Sequence, residues 1–351
     1  MVNKDLILAY LNEYDENELI YKEYHEALKN PDDLEEFGRR HGLEEVLAKR
    51  LVLPQLYEES LPPEDFFCDR NIFRNGQNIL LMKHDRYTPA FAHHHDTFEL
   101  NYVVSGSCRQ LINGTEVHFY KGDICFIALD TTHTMEVFDD SIVLNILIRK
   151  DTFDDIFINV LRNKSILTTF FLDNLYAGNK TDYIIFSTAG DEEIEGLIFE
   201  MFLESMAEDE YSGNLSTYMI SILFSKLLRG YSKTAVICGK QGEDMDLHNE
   251  IVVYLQNNYI TATLQDTAAH FGYDPSYCSR LIKKVTGVNF VGLVREIRMK
   301  QAERLLRATP MTVEMISERI GYENPETFIR VFKKSRGMTP AQYRNEKLTQ
   351  K

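Results

Sequence analysis

Two short strings near the C-terminal end of the chain share one order of residue types. Residues 272–284 read GYDPSYCSRLIKK, and residues 321–334 read GYENPETFIRVFKK. Their prolines, Pro275 and Pro325, stand 50 positions apart. A string that recurs in this way predicts one small structural unit built twice.

Each string completes a helix-turn-helix pattern. Thr263 and Thr312 stand where a threonine side chain can cap a first, short helix. A Gly-Tyr turn follows, and the proline then falls in the first turn of a second helix, where its fixed backbone angle is favourable. Because a short helix, a glycine turn and a second helix make a helix-turn-helix, the sequence predicts two motifs, at residues 263–286 and 312–336.

The second helix of each motif has an apolar face and a polar face. In the first copy Cys278, Leu281 and Ile282 recur at helical spacing and predict the packed side. The polar side carries hydroxyl, acidic and basic groups, namely Ser276, Ser279, Arg280, Lys283, Glu326, Thr327, Arg330 and Lys333. Arginine can pair with guanine edges, hydroxyls can bond bases or phosphates, and lysine neutralises backbone charge. This face therefore predicts a DNA-reading surface, and a solvated charged face is the alternative.

A long helical pattern joins the two motifs. Residues 290–307, FVGLVREIRMKQAERLLR, run without a break until Thr309-Pro310. At about 1.5 Å per residue, this helix spans about 27 Å. A connector of that length can set two recognition helices near one DNA turn apart, about 34 Å. We therefore expect a single chain to read two adjacent half-sites.

The charge of the chain is divided between its two ends. The formal net charge is -16, which alone disfavours phosphate binding. Residues 261–351, however, hold 16 basic and 9 acidic side chains, which give a net charge of +7. Residues 1–260 hold 22 basic and 45 acidic side chains, which give a net charge of -23. This asymmetry indicates a nucleic-acid-binding module joined to an acidic body.

The middle of the chain reads as a series of strands. Between residues 61 and 150 the runs FELNYVV, CRQLI, TEVHFY, ICFIAL and IVLNILI alternate with turn signals, and Asn113-Gly114 is a strong hairpin signal. Short strands at this spacing predict an antiparallel sandwich or a small barrel. Residues 1–60 predict a helical extension without recognisable chemistry.

Residues 151–240 predict a helical appendage. Within it, residues 194–202 and 215–223 place apolar side chains on one face of a helix. Two such helices can cover the barrel, or they can pair with a second subunit.

A histidine-rich stretch lies at the start of the strand region. His93, His95, Glu99 and Gly106 fit the pattern H-x-H-x3-E-x6-G, and His133 follows on a later strand. If His93, His95 and Glu99 share one strand and His133 lies on its partner, the four side chains converge inside the barrel. Three imidazoles and a carboxylate suit Fe, Mn, Ni, Cu or Zn.

Cysteine usage and hydropathy narrow the class of protein. The five cysteines are scattered without a CxxC pair, so they are expected to be small buried residues. No stretch approaches the ~20 apolar residues of a membrane span, and the acidic N-terminus does not resemble a secretory signal. We expect a cytoplasmic protein.

Residues 247–344 resemble the DNA-binding domain of the AraC family of bacterial transcription regulators. The resemblance rests on GYDPSYCSRLIKKVTG, REIRMKQAERLL and IGYENPETFIRVFKKSRGMTPAQYR. It implies a module of seven helices. The base-facing positions that it implies are Ser276, Ser279 and Arg280 in the first recognition helix and Glu326, Thr327 and Arg330 in the second. The partners expected of such a regulator are double-stranded DNA, a small-molecule effector, a second copy of the chain and RNA polymerase.

The histidine pattern is similar to the cupin fold. Its metal ligands would correspond to His93, His95, Glu99 and His133. The second cupin motif departs from the usual pattern, with Ala128 and Asp130 where proline and glycine are usual. AraC-family regulators resemble cupins in their N-terminal domain and often keep these polar residues while they bind an organic effector, frequently a sugar, and no metal. The resemblance thus implies an effector site, with a divalent metal as the alternative occupant.

We therefore expect a multidomain α+β protein with four parts. These are a helical extension (1–60), a cupin-like antiparallel barrel (61–150), a helical appendage that can dimerise (151–240) and an all-α DNA-binding domain (241–351). The expected function is sequence-specific regulation of transcription under the control of an effector, without enzymatic activity. The alternative is a metal-dependent cupin enzyme, or a metal sensor, fused to a DNA-binding module.

Overall fold

The chain forms two compact units in the computed structural model. The structure describes residues 4–61, 72–73, 77–153, 156, 170, 181–207, 209–239, 251, 254–255, 258–286 and 288–349. The first unit falls within residues 1–156 and 182–238, and the second within 157–181 and 239–351. None of the helices among the described residues is long and apolar enough to cross a membrane.

Two antiparallel sheets form the centre of the first unit. Their strands are β1 Ile79–Lys83, β2 Phe98–Ser105, β3 Ser107–Ile112, β4 Thr115–Tyr120, β5 Asp123–Ile127, β6 His133–Glu136, β7 Ile142–Ile148, β8 Thr181–Ser187 and β9 Val236–Gly239. Six strands form one sheet in the order β1-β7-β2-β5-β8-β9, and three form the other in the order β4-β3-β6. The predicted barrel does not close among the described strands, which instead form the two sheets of a sandwich, the other architecture that strands at this spacing can adopt.

Local sequence explains the predicted hairpin. Asn113 and Gly114 both have positive φ, 46° and 81°, as a two-residue hairpin turn requires. They join β3 to β4 with Ile112 paired to Thr115. Apolar side chains from both sheets, among them Val103, Cys108 and Phe119, fill part of the space between them.

Helices α5 (Glu192–Met206) and α6 (Ser212–Tyr231) cover the outer face of the large sheet. Phe98 and Phe126 on this face pack on the rings of Phe153 and Phe224 at centroid distances of 3.9 and 5.7 Å. The two amphipathic patterns of the sequence are therefore confirmed as helices, and one face of each is buried. The predicted appendage also supplies β8, whose run of aromatic and β-branched residues favours a strand.

The N-terminal extension is helical, as predicted, and joins the first unit. Its helices are α1 Lys4–Asn12, α2 Glu16–Ala27, α3 Pro31–Arg40 and α4 Leu43–Ala48. Tyr24 and Phe37 form a core with Leu53. The extension also contributes Glu18, which is fully buried against Arg86 of the sandwich.

The second unit is all-α. Its helices are α7 Leu264–His270, α8 Pro275–Thr286, α9 Phe290–Ala308, α10 Val313–Arg319, α11 Pro325–Arg336 and α12 Pro340–Thr349. Six of the seven expected helices therefore lie in the described residues, and Ile251, Tyr254, Leu255 and Asn258, which precede them, are also helical. Cys278 is buried here, as Cys108 and Cys125 are in the first unit. Cys68 lies outside the described residues.

Candidate functional site

The caps that the sequence predicted set the two helix-turn-helix motifs. The hydroxyl oxygen of Thr263 accepts a hydrogen bond from the backbone N–H of Asp266 at 3.1 Å, and α7 begins there. Thr312 does the same for α10, from the N–H of Met315 at 3.2 Å. The recognition helices α8 and α11 begin at Pro275 and Pro325, one residue after the capping side chains of Asp274 and Asn324.

The turns bring the two helices of each motif close together. Gly272 and Gly321 have φ of 70° and 84°, a conformation that other residues rarely adopt. A β-carbon at Gly321 would also lie 2.9 Å from the carbonyl oxygen of Ile260. Ala268 and Ser317, the small residues of the first helices, are fully buried. Both motifs are therefore packed units with the same local geometry.

The recognition helices bury one face and expose the other. Cys278, Leu281 and Ile282 are buried on α8, and Phe328 and Phe332 are buried on α11. Of the predicted DNA-facing residues, Ser276, Arg280, Lys283, Glu326, Arg330 and Lys333 are exposed, and Ser279 and Thr327 are half-buried. Contact with DNA stays a prediction for each of them.

The basic side chains of the second unit fall into two groups. Arg336 has a structural role, because it pairs with Glu296 at 2.6 Å and also with Glu303. Arg298 donates two hydrogen bonds to the carbonyl oxygen of Tyr259. Among the residues that the structure describes, the four basic side chains of the predicted DNA-facing surface have no ion-pair partner. Those four cations are therefore available to phosphate or base edges.

One exposed residue of α8 was missed by the sequence analysis. Tyr277 is 44% exposed, and its ring lies 5.1 Å from that of Tyr273. The 50-residue offset pairs it with Thr327, which the sequence analysis did select. Applying that offset position by position would have found Tyr277 at the edge of the same surface.

A second cluster lies inside the sandwich, at the ends of β2 and β6. Oε2 of Glu99 lies 3.1 Å from Nε2 of His95 and 3.1 Å from Nε2 of His133. One ring nitrogen from each of His93, His95 and His133 falls within 4.8 Å of the others. Glu99 and His133 are almost fully buried. The four residues that the sequence singled out are therefore close together.

The placement of two of these histidines on a strand was wrong. His93 and His95 precede β2, and His93 pairs with His133 only through an isolated bridge. In this bridge the backbone N–H of His93 donates to the carbonyl oxygen of His133 at 3.1 Å, and the N–H of His133 donates to the carbonyl oxygen of His93 at 2.9 Å. The carbonyl of His95 accepts from Asp130 instead of from a neighbouring strand. Only Glu99 of the three lies within β2.

Backbone carbonyls orient two of the rings. Nδ1 of His133 lies 3.1 Å from the carbonyl oxygen of Thr131, and Nδ1 of His93 lies 3.1 Å from that of Phe91. A carbonyl oxygen can only accept, so each Nδ1 carries the proton. When these rings are neutral, the lone pair is on Nε2, and this is the arrangement in which histidine binds a metal.

Burial and charge shift the pKa values of the cluster. Burial alone would raise the pKa of Glu99, but the neighbouring charges of His95 and His133 hold it well below its ordinary value. Burial opposes charge on His133 too, yet the Glu99 carboxylate raises its pKa. Burial, followed by the charges of His133 and His95, lowers the pKa of His93 to about 3. The cluster therefore holds a carboxylate, a neighbouring imidazole that is readily protonated, and a neutral His93.

Buried polar groups extend the cluster between the two sheets. The side-chain amide of Asn101 donates to Oε1 of Glu99 at 2.8 Å and to Oδ1 of Asn145 at 3.1 Å. Gln110, on the small sheet, donates to Oδ1 of Asn101 at 3.0 Å. Burial lowers the pKa of His84 to about 4, although the charge of Glu99 acts to raise it. The sequence analysis missed these residues, although two polar positions at a spacing of two in the apolar strand β2 were a usable signal.

The donor set fits a divalent transition metal. Two ligand atoms on one tetrahedral ion at about 2.1 Å each lie about 3.4 Å apart. The histidine nitrogens, which fall within 4.8 Å of one another, would therefore have to approach each other by up to about 1.4 Å to bind one ion. Carbonyl-oriented imidazoles next to a carboxylate are also typical of such sites. The same groups can instead bond a polar organic molecule.

Comparison with known proteins identifies the family. Residues 267–346 match the family described as a helix-turn-helix domain, and residues 82–175 match the AraC-like ligand binding domain. The transposon Tn10 TetD protein of Escherichia coli is 33% identical over 100 residues, which are 28% of this chain and 72% of TetD. The chain belongs to the AraC family. Both the helix-turn-helix motifs and the sandwich of this AraC-family chain therefore have counterparts in known families.

Two further relatives differ in how much of them this AraC-family chain covers. The HTH-type transcriptional activator RhaR of Cronobacter sakazakii is 25% identical over 266 residues, 75% of this chain and 90% of RhaR. The uncharacterized HTH-type transcriptional regulator YtdP of Bacillus subtilis is 40% identical over 85 residues, 24% of this chain and 11% of YtdP. The chain thus spans only about a tenth of the length of YtdP.

Proposed function

We propose that this AraC-family chain is a sequence-specific DNA-binding transcription regulator that acts in the cytoplasm. The observation that carries the proposal is the pair of capped recognition helices whose exposed cations have no ion-pair partner among the described residues. Arg280 and Arg330 occupy the same position in the two copies, one turn beyond the helix start. In this position an arginine can reach the edges of bases in the major groove.

Both motifs contact one duplex in this proposal. The connecting helix α9 has 19 residues, which at about 1.5 Å each give about 28 Å. A DNA turn is about 34 Å long. The two recognition helices then enter successive major-groove segments on the same side of the DNA.

The sandwich interior is the effector site in this proposal. His93, His95, Glu99 and His133 form its charged end, and Asn101 continues it with an amide. A small organic molecule with several hydrogen-bonding groups, such as a sugar, fits this lining. Such an effector alters DNA occupancy only if it binds two arrangements of the chain with different affinity, a coupling of about 1–3 kcal/mol.

A metal sensor is the second candidate function, and the spacing of the three histidines favours it. In this case His93, His95, His133 and Glu99 hold the ion, which organises the end of the sandwich. His95→Ala should then abolish binding of Zn²⁺ or Ni²⁺ in equilibrium dialysis. Retained binding of one ion per chain by this variant would exclude the site.

The proposed regulator works as a homodimer. Residues 211–225, which include most of α6, contain no charged residue, yet Tyr211, Leu215, Tyr218 and Ile222 are exposed. An uncharged apolar stripe at this 4-3-4 spacing is typical of a helix that pairs with another helix. Contact with RNA polymerase belongs to the same proposal, as it does for regulators that activate transcription.

The proposed activity is regulation and not catalysis. The rival enzyme would use the same cluster with a bound metal. Turnover of candidate small molecules by the metal-loaded chain, lost in His95→Ala, would contradict the proposal.

A native mass spectrum of the protein purified without chelators tests these proposals together. A dimer that carries an organic mass supports the effector site, and a dimer with one metal per chain supports the metal sensor. A gel-shift titration with and without the retained molecule then shows whether it changes DNA affinity. Equal affinity in both states would contradict control by an effector.

A further inference from the structure

The N-terminal helix α1 lies beside the covering helices of the sandwich. Ile7 and Leu11 of α1 are buried, and α1 packs on α5. Lys4 forms an ion pair with Glu195, which is only 2% exposed. Further along, the ring of Tyr10 lies 6.2 Å from that of Phe202. Helices α1, α5 and α6 therefore form one layer.

The outer face of this three-helix layer exposes eight large apolar side chains. Its exposed large apolar side chains are Leu6 and Tyr10 on α1, Leu203 and Met206 on α5, and Tyr211, Leu215, Tyr218 and Ile222 on or next to α6. Their exposed fractions run from 41% to 66%. Because Tyr10 contacts Phe202, it lies next to the exposed end of α5. The apolar surface of α1 thus continues that of the helices proposed to dimerise.

The exposed apolar area of α6 alone is smaller than the area that a stable dimer interface buries. A large side chain presents roughly 150–250 Å², so the four residues of the α6 stripe, each about half exposed, offer on the order of 400 Å². A stable interface buries about 800 Å² on each partner. The four residues on α1 and α5 bring the total to on the order of 800 Å², which also exceeds the largest apolar patch of a typical monomer, about 300–600 Å².

We infer that α1 of the N-terminal extension is part of the surface by which two copies of this chain associate. The inference rests on the proposed homodimer and assigns a role to the extension. A second copy is the favoured occupant, because a two-fold interface meets its own image and the α6 stripe carries no charge that needs an opposite charge. Leu6 and Tyr10 supply about half of the area that the α6 stripe lacks, and Leu203 and Met206 supply the rest.

Sedimentation equilibrium of the full chain over a dilution series tests the inference. We expect Tyr10→Glu to raise the dimer dissociation constant at least tenfold and Tyr218→Glu to raise it more. Leu47→Glu is the matched control, because Leu47 belongs to α4 of the same extension and is 48% exposed. It should change the constant less than twofold. Circular dichroism and the midpoint of thermal unfolding show whether each variant is folded. If Tyr10→Glu does not fold, the milder variant Tyr10→Ala replaces it.

The outcomes separate the two proposals. If Tyr218→Glu dissociates the dimer while Tyr10→Glu and Tyr10→Ala leave its constant unchanged, the role of α1 is refuted and the homodimer stands. If the wild-type chain is monomeric at about 50 µM, both the homodimer and the role of α1 in it are refuted. If Leu47→Glu weakens the dimer as much as Tyr10→Glu does, the claim that the α1 surface specifically forms the interface is refuted. DNA binding, measured separately by gel shift, reports on the proposed regulator itself.

Discussion

Replacing Glu18 with glutamine should destabilise the contact between the N-terminal extension and the sandwich. Oε1 of Glu18 accepts hydrogen bonds from Nε and the backbone N–H of Arg86, at 2.9 and 3.1 Å. Oε2 accepts from Nη2 of Arg86 at 2.9 Å and from Nζ of Lys83 at 2.7 Å. Arg86 is itself 1% exposed and stacks on the ring of Tyr14. The extension thus holds a buried charge of the sandwich.

The pKa of Glu18 gives the size of the effect. Burial opposes its charge, but the hydrogen bonds from Arg86 and Lys83 lower its pKa from 4.5 to about 2. A pKa lowered by this much corresponds to roughly 3 kcal/mol of stability at neutral pH. Breaking a buried pair by removing one partner costs about 3–5 kcal/mol. We therefore expect Glu18→Gln to lower the free energy of unfolding of the first unit by about 3 kcal/mol.

Thermal and urea unfolding at pH 7 measure this loss. For a unit of about 200 residues, 3 kcal/mol lowers the unfolding midpoint by about 6–12 °C. The folded-state pKa of Glu18 is lowered, so its contribution is complete above pH 4.5 and disappears as the pH falls toward 2. The difference between wild type and variant should therefore shrink below pH 4.5.

Glu35→Gln provides the control. Glu35 pairs with Arg39 on α3, where both side chains are about 70% exposed, so its loss should cost less than about 0.5 kcal/mol. An equally small loss for Glu18→Gln would refute the reasoning. The reasoning would also be refuted if Glu18→Gln lowered the free energy of unfolding by the same amount in an Arg86→Met background, because residues 18 and 86 would then not be coupled.

Three further predictions concern the DNA-facing surface and the buried polar groups. Arg280→Ala or Arg330→Ala should weaken DNA binding by about 1–3 kcal/mol and relax the preference at one base position, measured by gel shift with single-base operator variants; no loss would refute the base contacts. Tyr277→Ala should weaken binding of the same operators by a smaller amount, and binding equal to wild type would exclude Tyr277 from the interface. Burial lowers the pKa of His84 to about 4, so the unfolded chain binds its proton more readily below pH 6.5 and about 2 kcal/mol of stability is lost by pH 5. His84→Gln should remove that part of the pH dependence in urea unfolding, and an unchanged dependence would refute it.

Local signals in the sequence were sufficient for the second unit. The caps at Thr263 and Thr312 and the positive φ of Gly321 follow from the two predicted helix-turn-helix motifs. Each of these features depends on a few neighbouring residues, and helix periodicity and capping are local properties. Connector helix α9 likewise begins and ends within one residue of its predicted bounds.

Contacts between distant segments were not predictable in the same way. Strand β8 pairs with β5 from almost 60 positions downstream, and Arg86 meets Glu18 across 68 positions. The H-x-H-x3-E spacing, a local signal, selected His93, His95 and Glu99, which lie close to His133 in the structure. The amides of Asn101 and Gln110 reach each other across two sheets, and only the strand register reveals this. The domain boundaries and the DNA contacts stay predictions.

Selection of bound duplexes from a random DNA library by the full chain tests the central claim most directly. The account predicts an enriched sequence with two conserved elements, with centres about 10 base pairs apart, one for each recognition helix. Arg280→Ala should degrade one element and Arg330→Ala the other. Recovery of duplexes without any enriched sequence, with binding that depends only on salt, would contradict the account.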